Sequence, residues 1–235
     1  MTAELERAYI AILKEELVPA TGCTEPIAIA YAAARLREVL GAEPEQVRVL
    51  VSGNIIKNVK SVIVPNTGGM KGISAAVAAG VAAGDASREL QVIAEVPEEK
   101  RAEIAECCDR MDVEVVCTHT PRLLDIRLEG RAGEHSAMVH IANSHTNVVH
   151  EERDGEVLFD KPFTDSAEDS LTDKSVLTVA GILDFAGSVE LEKVSELLEL
   201  QLKYNLAIAE EGLRGDWGAN IGSVLLAENP DDIRT

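Results

Sequence analysis

Residues 24–51, TEPIAIAYAAARLREVLGAEPEQVRVLV, contain a helix followed by a strand, and they set the fold class. We predict Thr24 as the N-cap of the helix and Gly41 as its end, because hydroxyl side chains cap helices and glycine terminates them. The helix is rich in alanine and is expected to pack closely against its neighbours. Valine then alternates with other residues over 46–51, which indicates a strand.

Extended from this stretch, the chain predicts an α+β fold in which an Ala-rich helical domain is interrupted by a small α+β domain. The inserted domain is expected to contain a β-α-β arrangement followed by antiparallel strands. The predicted parts are 1–86, helical with polar substrate loops; 87–160, the inserted α+β domain; and 161–235, helical and continuing the first part.

Three local patterns outside that stretch lead to specific expectations. Leu90–Val96 is predicted as a strand. Val148–Phe159 is predicted as a hairpin that turns at Asp154-Gly155. A long helix is expected to begin with Ser188 as its cap and to stop at Gly212, since Leu191, Val194, Leu198 and Leu202 recur there at steps of three and four.

Composition excludes several classes of function. The chain has 235 residues and a formal net charge of −19, which repels phosphate backbones and anionic membranes. The longest uncharged stretch, Gly72–Gly84, is too short to span a bilayer. The N-terminus lacks the apolar core of a signal peptide. We therefore expect a cytoplasmic protein that binds neither nucleic acid nor membrane.

Cys23 is the cysteine with the strongest functional signal. It comes directly before a predicted helix N-terminus, where the helix dipole and unpaired N–H groups stabilise a thiolate that can act as a nucleophile or a soft-metal ligand. The alternative is a small buried hydrophobe. Cys108 and Cys117 are expected to be structural, and Cys107 partly exposed and inert.

Two loops, Ser52–Lys57 and Asn66–Gly72, combine glycine with amide and hydroxyl side chains. Such loops bring backbone N–H groups close to a small anion such as a carboxylate. Lys57 and Lys71 add positive charge in a strongly acidic chain. Ordinary hairpin turns are the competing interpretation.

Histidines recur every five residues, and this spacing argues against a metal site. An odd step places successive residues on opposite faces of a strand, so four such side chains do not converge on one ion. Exposed strand positions are the preferred interpretation. The residues are His135, His140, His145 and His150.

Three stretches, ATGCTEPIA (20–28), SGNIIKN (52–58) and VPNTGGMKG (64–72), resemble signatures of the L-cysteine desulfidase family, relatives of the iron–sulfur L-serine dehydratases. The resemblance extends along essentially the whole chain. It implies that the inserted domain, 87–160, is the counterpart of an allosteric substrate-binding-type domain.

The resemblance also implies a cofactor. Members hold a 4Fe-4S cluster through three cysteines, and Cys23 matches the first ligand. The other two ligands normally lie in a C-terminal helical part, which is not matched here. The chain thus resembles the N-terminal portion of a complete enzyme, as a fragment or a split-gene subunit. We expect it to bind no cluster alone, and to take up the missing C-terminal helical half or a partner subunit.

The implied activity is β-elimination on L-cysteine, giving pyruvate, ammonia and sulfide, or on L-serine, giving pyruvate and ammonia. Both substrates present the same carboxylate and amine, so both stay open. Lys57 is the candidate catalytic base or carboxylate contact. The alternative function is a non-catalytic amino-acid-binding or regulatory module. The candidate substrate-binding residues are Ser52, Gly53, Asn54, Asn66, Thr67, Gly68 and Gly69.

Self-association is also expected. The Ala-rich helices Ile27–Leu40 and Ile73–Ala83 would pack against the absent helices, and without them would expose a large apolar patch. Such patches drive homo-oligomer formation.

Overall fold

The computed structural model describes residues 1–20, 22–163 and 172–228. Within these ranges it contains eight α-helices and six β-strands. The helices are α1 (Ala3–Glu16), α2 (Thr24–Leu40), α3 (Gly53–Val59), α4 (Gly72–Ala83), α5 (Lys100–Arg110), α6 (Val179–Ser188), α7 (Ser195–Arg214) and α8 (Ile221–Glu228). The strands are β1 (Gln46–Ser52), β2 (Asp112–Thr118), β3 (Asp125–Ala132), β4 (His135–Ala142), β5 (Val148–Arg153) and β6 (Glu156–Asp160).

The strands form one mixed sheet in the order β2-β1-β3-β4-β5-β6. β1 pairs with β2 in parallel, and every other pair is antiparallel. The predicted hairpin is confirmed: Asp154 and Gly155 both have positive φ values, 51° and 83°, as a tight two-residue turn requires. The α+β fold class is confirmed.

Helices α2 and α4 form the centre of the core. Alanine and glycine at their contact let the two backbones approach closely, and a β-carbon on Gly80 would overlap the carbonyl oxygen of Ala30. A β-carbon on Gly84 would come within 2.9 Å of the β-carbon of Ala34. The contacts advance by four residues in the same direction on both helices, so α2 and α4 run parallel. Both helices are almost fully buried, so the expectation that they expose an apolar patch is wrong.

The described residues divide into two compact units. Residues 1–19 and 172–228 form one, here called the helical unit, and 20–163 form the other, the sheet unit. This division differs from the predicted parts 1–86, 87–160 and 161–235. The physical reason is that β1, which lies within 1–86, pairs with both β2 and β3 and joins the sheet of the predicted insert.

Two predicted elements take another form. Leu90–Val96 is not a strand: a 3-10 helix covers Ala86–Gln91, and turns follow. Local hydrogen bonds satisfy this backbone, as in Val92 N–H to the Glu89 carbonyl. Ser52–Lys57 is not a loop, because Gly53 begins α3.

The expected long helix with Ser188 as its cap is also wrong. Ser188 ends α6, and its hydroxyl donates to the Asp184 carbonyl. The following helix, α7, begins at Ser195 and continues past Gly212 to Arg214.

The helical unit has a small core of its own. Tyr9 and Phe185 stack with ring centroids 5.1 Å apart, and Val194 is buried beside them. Within the described ranges no helix has both the length and the apolar character needed to cross a membrane.

Candidate functional site

One of the candidate residues, Ser52, lies at the end of the sheet where the parallel strands β1 and β2 finish. The register places Ser52 opposite Thr118, Asp125 opposite Ala142, and Val148 next to the turn that joins β4 to β5. These residues form a row across the sheet, at the C-terminal ends of the parallel strands. α3 begins at this end directly after β1.

Cys23 lies exposed at the start of α2 and occupies the N-cap position that was predicted for Thr24. Its backbone is extended, with φ −65° and ψ 127°, and its side chain makes no capping hydrogen bond. The thiol instead donates to Glu25 Oε2 over 3.1 Å. The helix start therefore brings a thiol and a carboxylate into direct contact.

Glu25 is the centre of this arrangement. Asn58 of α3 donates its side-chain N–H to Glu25 Oε1 over 2.9 Å. Burial works to raise the pKa of Glu25, but hydrogen bonds from Cys23, its own backbone N–H and Asn58, with the nearby charge of His145, hold that pKa below its usual value. Glu25 is thus an ionised carboxylate. We call Cys23, Glu25, Asn58 and His145 the thiol–carboxylate cluster.

The contact that lowers the pKa of Glu25 raises the pKa of the Cys23 thiol. Partial burial of the thiol and then its hydrogen bond to Glu25 raise the pKa of Cys23, although the residue as a whole is exposed, and the negative charge of Glu25 adds to this. The expectation of a low-pKa thiol is therefore wrong. The helix dipole favours a thiolate by at most a modest amount, and a carboxylate 3.1 Å from the sulfur opposes it.

The Gly-rich loop lies next to this cluster. A β-carbon on Gly22 would come within 3.2 Å of Pro65, which directly precedes Asn66. Gly68 and Gly69 have φ values of 74° and 93°, and no side chain would obstruct a β-carbon at either position. Because α2 and α4 run parallel, their N-termini point towards the same end of the unit, with the loop leading into α4.

Helix N-termini and exposed loop amides attract anions, since their N–H groups are unpaired and the helix dipole is positive there. Lys71, the N-cap of α4, is exposed and adds a cation. Glu25 supplies a negative charge at the start of α2, at the same end of the unit. This end of the unit thus offers groups of both signs, as a zwitterionic ligand requires.

Several of the side chains that were predicted to bind substrate instead form hydrogen bonds with backbone groups of the protein itself. Ser52 is buried; its hydroxyl donates to the Leu123 carbonyl over 2.7 Å and accepts from Ile55 N–H at the start of α3. Thr67 is also buried and donates to the Val64 carbonyl over 2.8 Å. Asn66 donates to the carbonyls of residues 93 and 94. These contacts fix the start of α3 and the shape of the Gly-rich loop.

The predicted site residues of α3 are more exposed to solvent. Gly53 is exposed at the start of α3, Asn54 is half-buried one residue later, and Lys57 is exposed on the same helix. Asn54 is one helical turn from Asn58, so α3 presents both amides on one side. Thr21, in the first motif, lies outside the described residues, as does most of the acidic stretch after Phe163.

Three residues of the cluster were not predicted as site residues from the sequence. Glu25 and Asn58 belong to the quoted motifs, and that was a usable signal. His145 was expected on a strand, but it lies half-buried in the turn between β4 and β5. Burial lowers its pKa and Glu25 opposes this. No local pattern could have placed it beside α2.

The other cysteines were assigned partly wrongly. Cys107 is the buried one and Cys108 only half-buried, because α5 turns Cys107 towards the core. Cys117 is exposed at the end of β2, with its sulfur 3.9 Å from where a β-carbon on Gly53 would lie.

An iron–sulfur cluster takes three or four protein ligands. In the part of the chain that the structure describes, no three His, Cys, Asp or Glu side chains converge so as to hold a metal ion. These residues alone do not fit a cluster.

Comparisons with known proteins found curated relatives that carry the name UPF0597 protein. One, from Desulfitobacterium hafniense (strain Y51), is 48% identical over 228 residues, which are 97% of this chain and 53% of the relative. Those from Lachnoclostridium phytofermentans and Treponema denticola are 46% and 43% identical over 97% and 94% of the chain. The chain spans about half the length of these relatives. No family model and no solved structure matches.

These findings correct the family expectation. The three motifs resemble signatures of the L-cysteine desulfidase family, but the relatives carry the name UPF0597 protein. Assignment to the L-cysteine desulfidase or serine dehydratase-like family is therefore wrong.

Proposed function

We propose that this chain carries part of the active site of a lyase that performs β-elimination on L-cysteine or L-serine. The observation that carries the proposal is Glu25, an ionised carboxylate in contact with a thiol and an amide at the point where α2 begins. An elimination site needs a holder for the substrate ammonium, a holder for its carboxylate, a base, and a group near the leaving atom.

The substrate would bind through its two charges. Glu25 would accept hydrogen bonds from the ammonium group, since a carboxylate of lowered pKa stays ionised near neutral pH. The loop at Gly68 and Gly69, with Lys71, would take the carboxylate through N–H groups and positive charge. Neither interaction distinguishes cysteine from serine.

The chemistry would follow from this placement. A base removes the α-proton, the bond from Cβ to sulfur or oxygen breaks, and the leaving group departs as sulfide or, once protonated, as water. The resulting aminoacrylate tautomerises to an imine, which water hydrolyses to pyruvate and ammonia. Lys57 remains our candidate for the base or a carboxylate contact. Cys23 lies beside Glu25 and would face the leaving group.

A 4Fe-4S cluster belongs to the proposal for the complete protein only. It would supply a Lewis acid for the leaving group, with Cys23 as one ligand. Its further ligands would come from outside the described residues. No role proposed for Glu25, Lys57 or the loop depends on it.

A second candidate is a non-catalytic module that binds an amino acid. It is favoured by the raised pKa of Cys23, which leaves the thiol protonated and a weak nucleophile. The same charges would hold the ligand. With a net charge of −19, either protein would avoid nucleic acid and anionic membranes, and we propose a cytoplasmic location.

The test combines binding with turnover. L-Serine and L-cysteine are titrated into the chain by calorimetry, with D-serine as the stereochemical control. Pyruvate release is measured anaerobically for the chain and for the full-length Desulfitobacterium hafniense relative. We expect Glu25→Gln to weaken binding at least about tenfold, since it removes a charged hydrogen-bond acceptor. Glu38→Gln, an exposed glutamate on the same helix, is the matched control.

The outcomes separate the candidates. Pyruvate from either amino acid supports the lyase. Saturable, Glu25-dependent binding without pyruvate in either protein supports the module. If neither protein binds or converts either amino acid, both candidates are rejected.

A further inference from the structure

Helix α7 carries an apolar stripe that begins inside the core of the helical unit and then leaves it. Val194 is buried against Tyr9 and Phe185, and Leu198 packs partly against them. Leu202, the next position on this side of the helix, is 57% exposed. Every residue from Gln201 to Arg214 is exposed, and α7 has no buried residue.

The exposed apolar surface continues beyond α7. Trp217 is 61% exposed, and α8 also buries none of its residues. We define the α7–α8 face by the exposed apolar side chains that continue this side of α7 and by those that follow the helix. They are Leu202, Leu206, Leu213, Trp217 and Ile221.

This face cannot be the final surface of a stable unit. Burial of one leucine side chain contributes about 1.5–3 kcal/mol, and α7 leaves several uncovered over most of its length. Isolated helices are marginal in water, because most of their stability comes from packing an apolar side. The unit's own buried cluster is small, with Tyr9, Phe185 and Val194 at its centre.

The relatives indicate what covers the face. The Desulfitobacterium hafniense relative matches 97% of this chain, so the matched region includes most of this unit, yet it fills only 53% of the relative. About half of that protein is therefore polypeptide with no counterpart in this chain. It is a sufficient source of covering helices.

Charge argues against a second copy as the occupant. Two copies would bring together chains of −19 each. The charged residues of α7 are mainly acidic, with Glu196, Glu199, Glu210 and Glu211 against Lys203 and Arg214. Like charges at an interface cost free energy and slow association. An occupant with an apolar side flanked by lysine or arginine would match the face.

We infer that the α7–α8 face binds the half of the polypeptide that the relatives have beyond the matched region, through an apolar helical surface with basic residues at its border. The inference is independent of the proposed lyase activity, since it concerns only the helical unit.

The experiment co-expresses this chain with the part of the Desulfitobacterium hafniense relative outside the match. Complex mass is measured by light scattering, and amide hydrogen exchange is measured for α7. We expect a complex with one copy of each chain, and exchange in α7 slowed at least about tenfold, as buried helices show.

Substitution on the face gives the control. Leu206→Asp should weaken the complex at least about tenfold, because it places a charge in an apolar interface. Asn205→Asp adds the same charge at the next, polar position and should change affinity less than about threefold. Leu213→Asp repeats the test at the far end of the helix, and circular dichroism checks that each variant keeps its helix content.

Three results would overturn the inference. One is a homodimer of this chain that protects α7 by itself. Another is a mixed complex in which α7 stays unprotected or Leu206→Asp has no effect. The last is absence of any complex.

Discussion

Gly80 of α4 lies directly against the carbonyl group of Ala30 in α2, with no space for a side chain between the two backbones. Arg37 of α2 links the same two helices near the C-terminal end of α4. Its guanidinium donates to the carbonyls of Val81 and Gly84 over 2.7 and 2.8 Å. These contacts keep α2 and α4 parallel, and so keep the Gly-rich loop and the thiol–carboxylate cluster at the same end of the unit.

Gly80→Ala should therefore destabilise the sheet unit. Alanine favours a helix over glycine by about 1 kcal/mol, but the new methyl group must push two backbones apart, and we expect a net loss of about 1–3 kcal/mol. Gly212→Ala in α7, where a β-carbon meets nothing, should be neutral or stabilising. Urea unfolding followed by circular dichroism measures both. Equal effects of the two substitutions would contradict the packing.

The ion pair between Arg35 and Glu151 joins α2 to β5. Arg35 donates from two nitrogens to Glu151 Oε1 over 2.9 and 2.7 Å, and Glu151 is only 7% exposed. Arg35→Met should cost about 2 kcal/mol, less than for a fully buried pair because Arg35 is itself partly exposed. Arg48→Met, at an exposed pair, should cost under about 0.5 kcal/mol.

A double variant separates the pair from packing. Arg35→Met with Glu151→Met should recover much of the lost stability, since it removes the unpaired buried carboxylate. Additive losses in the denaturation midpoints would show that the two residues act independently.

The thiol of Cys23 should react slowly near neutral pH. Burial and the carboxylate of Glu25 raise its pKa, so the thiolate fraction is small until the pH exceeds the usual thiol range of about 8.5. Glu25→Gln removes the charge and should speed alkylation by iodoacetamide at pH 7.5 several-fold. Peptide mass spectrometry gives the rate at each cysteine, with the exposed Cys117 as the internal reference. If Cys23 reacted faster in the unsubstituted protein than in the Glu25→Gln variant, the proposed effect of Glu25 on the thiol would be refuted.

Asp125 should make part of the stability depend on acid pH. Burial works to raise its pKa, but hydrogen bonds from His140 and Arg122 lower it below its usual value. Its contribution is therefore present above the unfolded pKa of about 3.9 and is lost as the pH falls through the lower folded pKa.

Asp125→Asn should cost about 2 kcal/mol at pH 7, and the difference from the unsubstituted protein should shrink as the pH falls below about 4. Denaturation midpoints between pH 7 and 3 measure this difference. Asp109→Asn, on the exposed side of α5, should leave the profile unchanged. A difference that stays constant with pH would exclude a charge effect at Asp125.

Local chemistry made several elements predictable. The helix over α2 follows from its alanines and ends at Gly41, whose φ of 78° suits glycine. The hairpin at Asp154-Gly155 follows from two residues that accept positive φ. In both cases the deciding interactions lie within a few residues of one another.

Contacts between distant segments decided the parts that were mispredicted. Leu90–Val96 has the apolar content of a strand, but its backbone is satisfied by local turns and by Asn66, whose amide donates to the Ile93 carbonyl. Cys107 rather than Cys108 is buried, because the rotation of α5 is set by what it packs against. Burial depends on a neighbour that a local pattern does not specify.

The candidate site divides in the same way. The sequence by itself placed Cys23 at a helix start and the glycines of residues 66–72 in a loop, because those features depend on backbone preferences of adjacent residues. Only the tertiary structure brought Asn58 and His145 to Glu25, which are 33 and 120 positions away along the chain. The packing of α3 against α2 and the register of β4 with β5 position them, and both arise from contacts between segments far apart in sequence.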